Sequence, residues 1–261
     1  MSIPIPDWLK QDNSEASRLV RKLALWRCSN FRWGFVVAKA GSSYDDEARW
    51  NKTLDRLRQH VAFGLALPRL QAGGSDDRAE RMAMDAFTLQ VLDSHELRGA
   101  PSHDTIRAHL RAWKEANAGN KDLAFVCDDV CLFLDDRMVQ QLVDAPEPSL
   151  DWYRSGRPGT LLLTLTTCVG VLDAYFGPDT VEDKREERPH YQGWMWVGAA
   201  YLPEFWRRID DYFQNMEMMC ALTYEPDLIP LWDGCENLLL DPETLEERDT
   251  ELDKQRARFN R

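Results

Sequence analysis

The sequence predicts an α+β fold in which helices cover a mainly antiparallel sheet, and two observations lead to that prediction. Short runs rich in β-branched and aromatic residues, typical of strands, alternate with longer segments whose apolar residues recur at helical spacing. The predicted order is β-α, then α-β-α, then β-β-α, a mixture expected of helices layered on one sheet. Four strands and two principal helices also fit a ferredoxin-like core with added helices.

The first half of the chain predicts two helices around a strand. The first helix has one apolar face and a separate basic face, and the second has an apolar stripe that contains Trp50 and Leu57. Between them lies an apolar run with β-branched residues, and after them comes a stretch rich in Gly, Asp and Ser. The predicted elements are a basic helix over about 14–28, a strand over RWGFVVA, a helix over about 44–63 and an exposed loop over 68–80.

The second half predicts strands and helices in turn, followed by a tail. Each helix is predicted from apolar residues on one face, and each strand from a short, strongly apolar run. One domain over 1–240 and a charged tail over 241–261 are expected. The predicted elements are helices over SHDTIRAHLRAWKEAN, DDVCLFLDDRMVQQLVDAP and LPEFWRRIDDYFQNM, and strands over LAFVC, GTLLLTLTTCVGVL and YQGWMWVGA.

The composition limits the class of protein. The chain has 261 residues, 44% of them hydrophobic, but no apolar run of the length that a membrane-spanning helix needs. Its amino terminus lacks the pattern of a secretion signal, and its six cysteines include no CxxC pair, which indicates reduced thiols in the cytoplasm. The net charge of −12 argues against a general nucleic-acid binder.

The charge is unevenly distributed along the chain, which keeps one RNA-binding surface open as a hypothesis. Residues 1–70 hold 12 Lys and Arg against 7 Asp and Glu, whereas the remainder is strongly acidic. Two rows of basic residues at helical spacing are candidates for contact with the RNA backbone, although such rows are more often solvated helix faces. These rows are Arg18, Arg21 and Lys22, and Arg49, Lys52 and Arg56.

The Gly-Ser-Ser loop at 41–43 lies where a strand is expected to end and a helix to begin. Ser43 is predicted to be the N-cap of that helix, since its hydroxyl can accept a backbone N–H bond. The alternative is that Ser43 meets a substrate. In that case the three carboxylates that follow would attract an amine or guanidinium and repel a phosphate. Ser43 is therefore also a candidate nucleophile.

Acidic and aromatic residues supply the other candidates for a substrate site. Carboxylates near strand ends can bind a guanidinium through paired hydrogen bonds, and one with a raised pKa can act as a general base. Aromatic side chains can line a pocket or stack on a guanidinium. Helix N-termini and core packing explain the same residues without a ligand. The candidates are Asp128 and Asp129, Glu204 as a catalytic acid or base, and Trp33, Trp194 and Trp196.

Cofactor and metal signatures are missing from the sequence. Cys127 and Cys131 lie four positions apart, but no histidine or second cysteine pair stands at zinc-site spacing. Serine-hydrolase, P-loop and dinucleotide motifs are also absent. We therefore expect neither a metal nor a cofactor, while a Cys-His pair assembled only by the fold stays open.

Several short motifs resemble a large family of small, mostly uncharacterised fungal proteins. They are WGFVV leading to YDDEARW, LRAWKEAN before a short strand and DD, and GWMWV followed by YLPEFW, within about 31–214. Where that family has Arg or Thr in the strand after WGF, this chain has Ala38, Lys39 and Ala40. The resemblance implies no set of catalytic residues.

The resulting functional expectation is an enzyme of specialised metabolism. One group of small fungal proteins makes arginine-containing cyclodipeptides from aminoacyl-tRNA, and this activity is the candidate here. Its partners would be aminoacyl-tRNA and an amino-acid-derived small molecule, with no membrane involved and an oligomeric state that the sequence does not specify. The alternatives are a non-catalytic protein- or ligand-binding module, and a transferase or hydrolase with a Cys/His or carboxylate pair.

Overall fold

The computed structural model confirms the α+β class, because in the described part of the chain helices pack on a seven-stranded sheet. One extensive hydrophobic core contains residues from both kinds of element. The structure describes residues 5–25, 32–41, 46–120, 123, 126–151, 167–177, 191–209, 216–221, 223, 227–232 and 237–241.

Helices and strands alternate along most of the described chain, with two short 3₁₀ turns at His95–Leu97 and Ala199–Tyr201. The helices are α1 (Asp7–Gln11), α2 (Glu15–Leu25), α3 (Glu47–Ala72), α4 (Arg78–Asp85), α5 (His103–Ala116), α6 (Asp136–Asp144), α7 (Leu202–Ile209) and α8 (Met216–Met219). The strands are β1 (Trp33–Lys39), β2 (Phe87–Leu92), β3 (Val126–Leu134), β4 (Cys168–Asp173), β5 (Trp194–Gly198), β6 (Ile229–Trp232) and β7 (Asn237–Leu240).

The sheet is mixed, which differs from the mainly antiparallel sheet and ferredoxin-like core that the sequence predicts. Its strand order is β2-β1-β3-β4-β5-β6-β7. β1 is parallel to both of its neighbours and β5 is parallel to β6, whereas the other three pairs are antiparallel. Five strands therefore run in one direction, and only β4 and β7 run against them. The two parallel pairs of β1 arise because helical crossovers join β1 to β2 and β2 to β3.

The two crossovers lie on opposite faces of the sheet. The first ends in α4, where the Ala83 carbonyl accepts a 2.6 Å hydrogen bond from the Trp33 indole. The second contains α5, whose His103 ring packs against Phe133 and Trp194 on the other face. Right-handed crossovers that move in opposite directions along a sheet must use opposite faces. The neighbouring strands β1 and β3 therefore form a topological switch point.

The start and end of α3 differ from the prediction. Its N-cap is Asp46, whose carboxylate accepts a bond from the Arg49 backbone N–H, and Ser43 lies outside the described residues. The helix continues to Ala72, so much of the loop predicted over 68–80 is helical. Gly73 ends it with a φ of 69°, a left-handed conformation that glycine adopts without strain.

The largest difference from the predicted elements concerns β3. The sequence predicts a helix from Asp128 onward, but the segment remains strand as far as Leu134. Phe35 and Val36 of β1 pair with Cys127 and Cys131, so three residues of β3 form a bulge between them. Helix begins only at α6. β2 has no counterpart among the predicted strands.

The remaining predictions agree with the described parts of the chain. A helix over α2, a strand over β1, a helix over α5, a strand over β5 and a helix over α7 are all present. β4 is the described end of the long apolar strand predicted from GTLLLTLTTCVGVL. The first part of that run, residues 210–215 and the tail after 241 lie outside the described residues.

Candidate functional site

The carboxyl ends of β1, β2 and β3 bring three ionisable residues to one edge of the sheet. Lys39 is the last residue of β1, and Asp93 comes directly after the end of β2. Asp135 follows Leu134, which is the register partner of Lys39. In open α/β sheets, ligands bind in the crevice outside the carboxyl ends of the strands at a switch point. We therefore take this carboxyl edge as the candidate site.

Lys39 is the buried centre of the candidate site. Only 5% of its side chain is exposed. Its Nζ lies 3.3 Å from Asp93 Oδ2, 3.8 Å from Glu47 Oε2 and 5.2 Å from the centroid of the Trp50 ring. The two carboxylates are 46% and 74% exposed, respectively. A buried ammonium thus lies beneath a rim of solvent-accessible carboxylates.

Local structure explains why these residues meet. Every residue of β1 is buried, so a lysine at its end can reach solvent only along the carboxyl edge. Asp46 starts α3 immediately beyond, which puts Glu47 in the first turn, where the helix dipole favours an acid. Trp50 comes three residues later, and residues at that spacing lie on the same side of a helix.

Asp135 adds a carboxyl group suited to proton transfer. Its Oδ1 caps α6 by accepting a 2.8 Å hydrogen bond from the Met138 backbone N–H. Burial raises the pKa of the Asp135 carboxyl above the ordinary aspartate value. A carboxyl with a raised pKa holds a proton more readily near neutral pH, as a general base or acid requires.

The acids predicted at a strand end lie elsewhere. Asp129 is in the β3 bulge, and its backbone O accepts a bond from Ala174 N just beyond the end of the reversed strand β4. Asp129 therefore lies at the edge of the sheet where β1, β2 and β3 begin (the amino edge), whereas Lys39 lies at the edge where they end. The Asp129 carboxylate accepts a 2.9 Å hydrogen bond from Tyr175 and pairs with Lys114 at 3.4 Å. The side chain of Asp128 lies outside the described residues.

The three candidate tryptophans do not share a surface. Trp33 is fully buried and packs against Phe87 and Trp206. Trp194 and Trp196 lie on the other face of the sheet, where Trp194 contacts His103 of α5 and the ring of Trp196 lies 5.1 Å from the Arg137 guanidinium of α6. These contacts make all three tryptophans part of the packing between sheet and helices.

The His103 ring lies among aromatic side chains on this face. Burial, followed by the charge of Arg107, lowers the pKa of His103 to about 4. The imidazole is therefore neutral at physiological pH.

Glu204 makes its described contacts within its own helix. Its Oε1 accepts hydrogen bonds from Nε and Nη2 of Arg208, one turn further along α7, at 2.9 and 2.5 Å. The Arg208 guanidinium lies 5.5 Å from the centroid of the Trp232 ring. This arrangement is a helix ion pair beside an aromatic ring, and it does not include Lys39 or Asp135.

The two basic rows contact different parts of the protein. Arg21 donates to the carbonyls of Leu9 and Asp12, and Lys22 donates to the carbonyl of Arg207. On α3, Arg49 donates to Gln140 and Arg56 pairs with Glu147 at 3.6 Å. Four of the six predicted RNA-binding residues therefore hold neighbouring elements together. Arg18 and Lys52 are exposed.

Sequence reasoning missed the residues that the carboxyl edge brings together. Lys39 was visible as a charged residue at the end of an otherwise apolar strand, a position that points to a paired or functional charge. Asp135 belongs to the pair of aspartates that directly follows β3. The sequence predicts a helix across this position, so it gives no sign that a strand ends there. Asp93 could be placed only by recognising β2.

Comparisons with models of known protein families, with curated proteins and with solved structures found no match for this chain. The resemblance to small fungal proteins therefore stays a prediction. In the described residues, no helix is both long enough and apolar enough to cross a membrane. Within the same ranges, no three His, Cys, Asp or Glu side chains are grouped as metal ligands.

Proposed function

We propose that the protein is an enzyme of specialised metabolism that binds an amino-acid-derived substrate at the carboxyl edge of β1, β2 and β3. The observation that supports this proposal is the buried Lys39 ammonium beneath the exposed carboxylates of Asp93 and Glu47. An amino acid carries the complementary pair of charges. Its carboxylate or carbonyl oxygen would bind Lys39, and its amine would bind the carboxylates.

Because Lys39 is buried, its interaction with a substrate oxygen should be stronger than the interaction of the exposed carboxylates with the substrate amine. Charges interact more strongly where water is excluded, because the effective dielectric constant falls. A donor fixed in place before the substrate arrives also needs little reorganisation as negative charge develops on a carbonyl oxygen. Lys39 is therefore suited to polarise the carbonyl of an activated amino acid.

Asp135 supplies the proton acceptor that amide formation needs. When an amine attacks the carbonyl of an ester-activated amino acid, the new C–N bond forms and the ester C–O bond breaks. The proton that the amine loses must be accepted and then delivered to the departing alkoxide, which leaves as the alcohol. A carboxylate with a raised pKa can accept that proton near neutral pH. The proposed reaction class is aminoacyl transfer to an amine.

The more specific form of the proposal is condensation of amino acids from aminoacyl-tRNA into an arginine-containing cyclodipeptide, the candidate activity named in the sequence analysis. Asp93, Glu47 and the Trp50 ring together suit a guanidinium, which binds carboxylates and stacks on aromatic faces. The exposed Arg18 and Lys52 are the basic-row residues best suited to contact tRNA phosphates. Ser43, which lies outside the described residues, stays the candidate nucleophile.

Product analysis with a matched pair of variants tests the proposal. Wild type, Lys39→Met and Lys114→Met are expressed in a bacterium, and the culture media are searched by mass spectrometry for new arginine-containing cyclic dipeptides. We expect product from wild type and Lys114→Met, and at least about a hundredfold less from Lys39→Met, the effect of losing one oxyanion donor.

Purified protein incubated with tRNA charged with labelled arginine tests the RNA-dependent form separately. Label transferred to a dipeptide supports it. Product that forms in cells but not from charged tRNA restricts the proposal to another activated amino acid. An absence of any amino-acid-derived product in both experiments would contradict enzymatic function. Product that is unaffected by Lys39→Met would place the reaction elsewhere.

A further inference from the structure

β2 forms one end of the seven-stranded sheet and, among the described strands, pairs only with β1. Its sequence, FTLQVL, contains no charged residue and no proline. Natural sheets usually protect such an edge with Lys, Pro or a bulge, because its outward N–H and C=O groups can pair with another chain. Within the described strand β2, none of these three features is present.

The two ends of β2 carry charges that suit a second copy of the same strand. At the start, exposed Arg32 donates a 3.2 Å hydrogen bond to the backbone carbonyl of Asp85. At the other end, Arg98 lies 3.6 Å from Asp93, with both side chains about half exposed. Arg32, which precedes β1, and Asp85 thus lie near the start of β2, and Asp93 and Arg98 near its end. These charges are compatible with antiparallel pairing of two copies, in which Asp85 would face the partner's Arg98 and Asp93 the partner's Arg32.

We propose that the protein forms a homodimer by antiparallel pairing of β2 with β2 of a second copy. The two-fold axis would pass near the middle of the strand, at Leu89 and Gln90, and the two sheets would become continuous. A two-fold axis makes any self-complementary strand edge a closed interface, which ends growth at two copies. Val91, 38% exposed, lies within this strand.

The proposed interface also reaches the candidate site without depending on its function. Asp93 pairs both with Lys39 and with Arg98. In the dimer, the partner subunit's Arg32 would lie beside this end of β2. Association therefore adds a positive charge next to the carboxyl edge.

A matched pair of lysine substitutions tests the interface. Val91→Lys puts a charge on β2, and Leu239→Lys does the same on β7 at the other end of the sheet, where Leu239 is 40% exposed. The mass of each full-length protein is measured by sedimentation over a wide range of concentration, since one strand pair is a small interface and a dissociation constant on the order of micromolar is expected.

We expect wild type and Leu239→Lys to dimerise, and Val91→Lys to dissociate at least about tenfold more readily. A wild type that stays monomeric at the highest concentration overturns the proposal. Loss of the dimer in Leu239→Lys but not in Val91→Lys also overturns it. Equal loss in both variants would show a general solubility effect and likewise contradict it.

A charge exchange keeps the test independent of folding defects. Arg98→Glu alone should weaken the dimer about tenfold, because it would face Asp85 of the partner subunit. Adding Asp85→Arg in the same chain should restore association. A double variant as weak as Arg98→Glu would contradict antiparallel pairing, provided that circular dichroism shows both variants folded.

Discussion

Two lysines at opposite edges of the sheet have similar partners but very different exposure. At the carboxyl edge, Lys39 lies 3.3 Å from Asp93 and 5.2 Å from the Trp50 ring, with 5% of its side chain exposed. At the amino edge, Lys114 lies 3.4 Å from Asp129 and 5.2 Å from the Tyr175 ring, with 39% exposed. The distances to the nearest carboxylate and ring are nearly the same, so the difference in burial makes the Lys39–Asp93 interaction the stronger one and leaves the Lys114–Asp129 interaction screened by water.

Reversing each lysine's charge should give the largest difference between the two edges. Lys39→Glu would place a third carboxylate beside Asp93 and Glu47 in a buried position, and we expect a loss of about 3 to 5 kcal/mol in the free energy of unfolding. Lys114→Glu puts the same change in water, where exposed pairs contribute at most about 1 kcal/mol. Urea unfolding of both variants measures the difference. Equal losses would show that burial does not distinguish the edges.

The helix beside Lys39 carries a buried histidine and the helix that contains Lys114 a partly buried one, which adds a pH test. α3, which supplies Trp50, holds His60, and burial followed by Arg56 lowers the pKa of His60 from 6.5 to about 4. Protons then bind the unfolded chain better than the folded one, so stability is full above pH 6.5 and falls as the pH drops towards 4. The loss is at most about 3 kcal/mol.

His60→Gln should flatten this decline between pH 6.5 and 4, as followed by urea unfolding at several pH values. His103→Gln on α5 should flatten it by a similar amount, because burial and the charge of Arg107 also lower the pKa of His103 to about 4. The slope is compared and not the absolute stability, since either substitution can also disturb packing. An unchanged slope in His60→Gln would contradict a neutral, buried imidazole.

A smaller effect separates the structural role of Asp135 from its proposed chemical role. Asp135→Ala removes the N-cap of α6 and should lower the free energy of unfolding by about 1 kcal/mol. Asp135→Asn keeps an oxygen that accepts the Met138 N–H, so stability should hardly change, yet the proton acceptor is lost. We expect both variants to lose activity. Full activity in Asp135→Asn would leave Asp135 with a capping role alone.

The sequence predicted the parts of the fold whose patterns are local. β1, α5 and β5 have clear strand or helix patterns, and α5 begins at a recognisable N-cap, where Ser102 accepts a bond from Thr105 N. β3 was split between a strand and a helix because two aspartates interrupt its apolar run. In the fold they occupy a bulge, which lets a strand continue past residues that do not pair.

The candidate site could not be predicted because it depends on β2. Only Ala86 separates this strand from α4, and no Gly or Pro marks the change. Without β2, neither Asp93 nor the parallel arrangement of β2, β1 and β3 can be inferred. Lys39 then has no visible partner, and acids such as Asp129, which lie on the opposite edge, become the obvious choice.

The most direct test of the account is nuclear magnetic resonance of the lysine ammonium groups during titration with free L-arginine. Spectra that detect each ¹⁵Nζ through its ¹³Cε do not require slow proton exchange, so both lysines are observable, and Lys39→Met and Lys114→Met assign the two signals. We predict that arginine shifts the Lys39 signal in a saturable way and leaves that of Lys114 in place. A Lys39 signal that does not move, or a saturable shift at Lys114 alone, would contradict binding at the carboxyl edge.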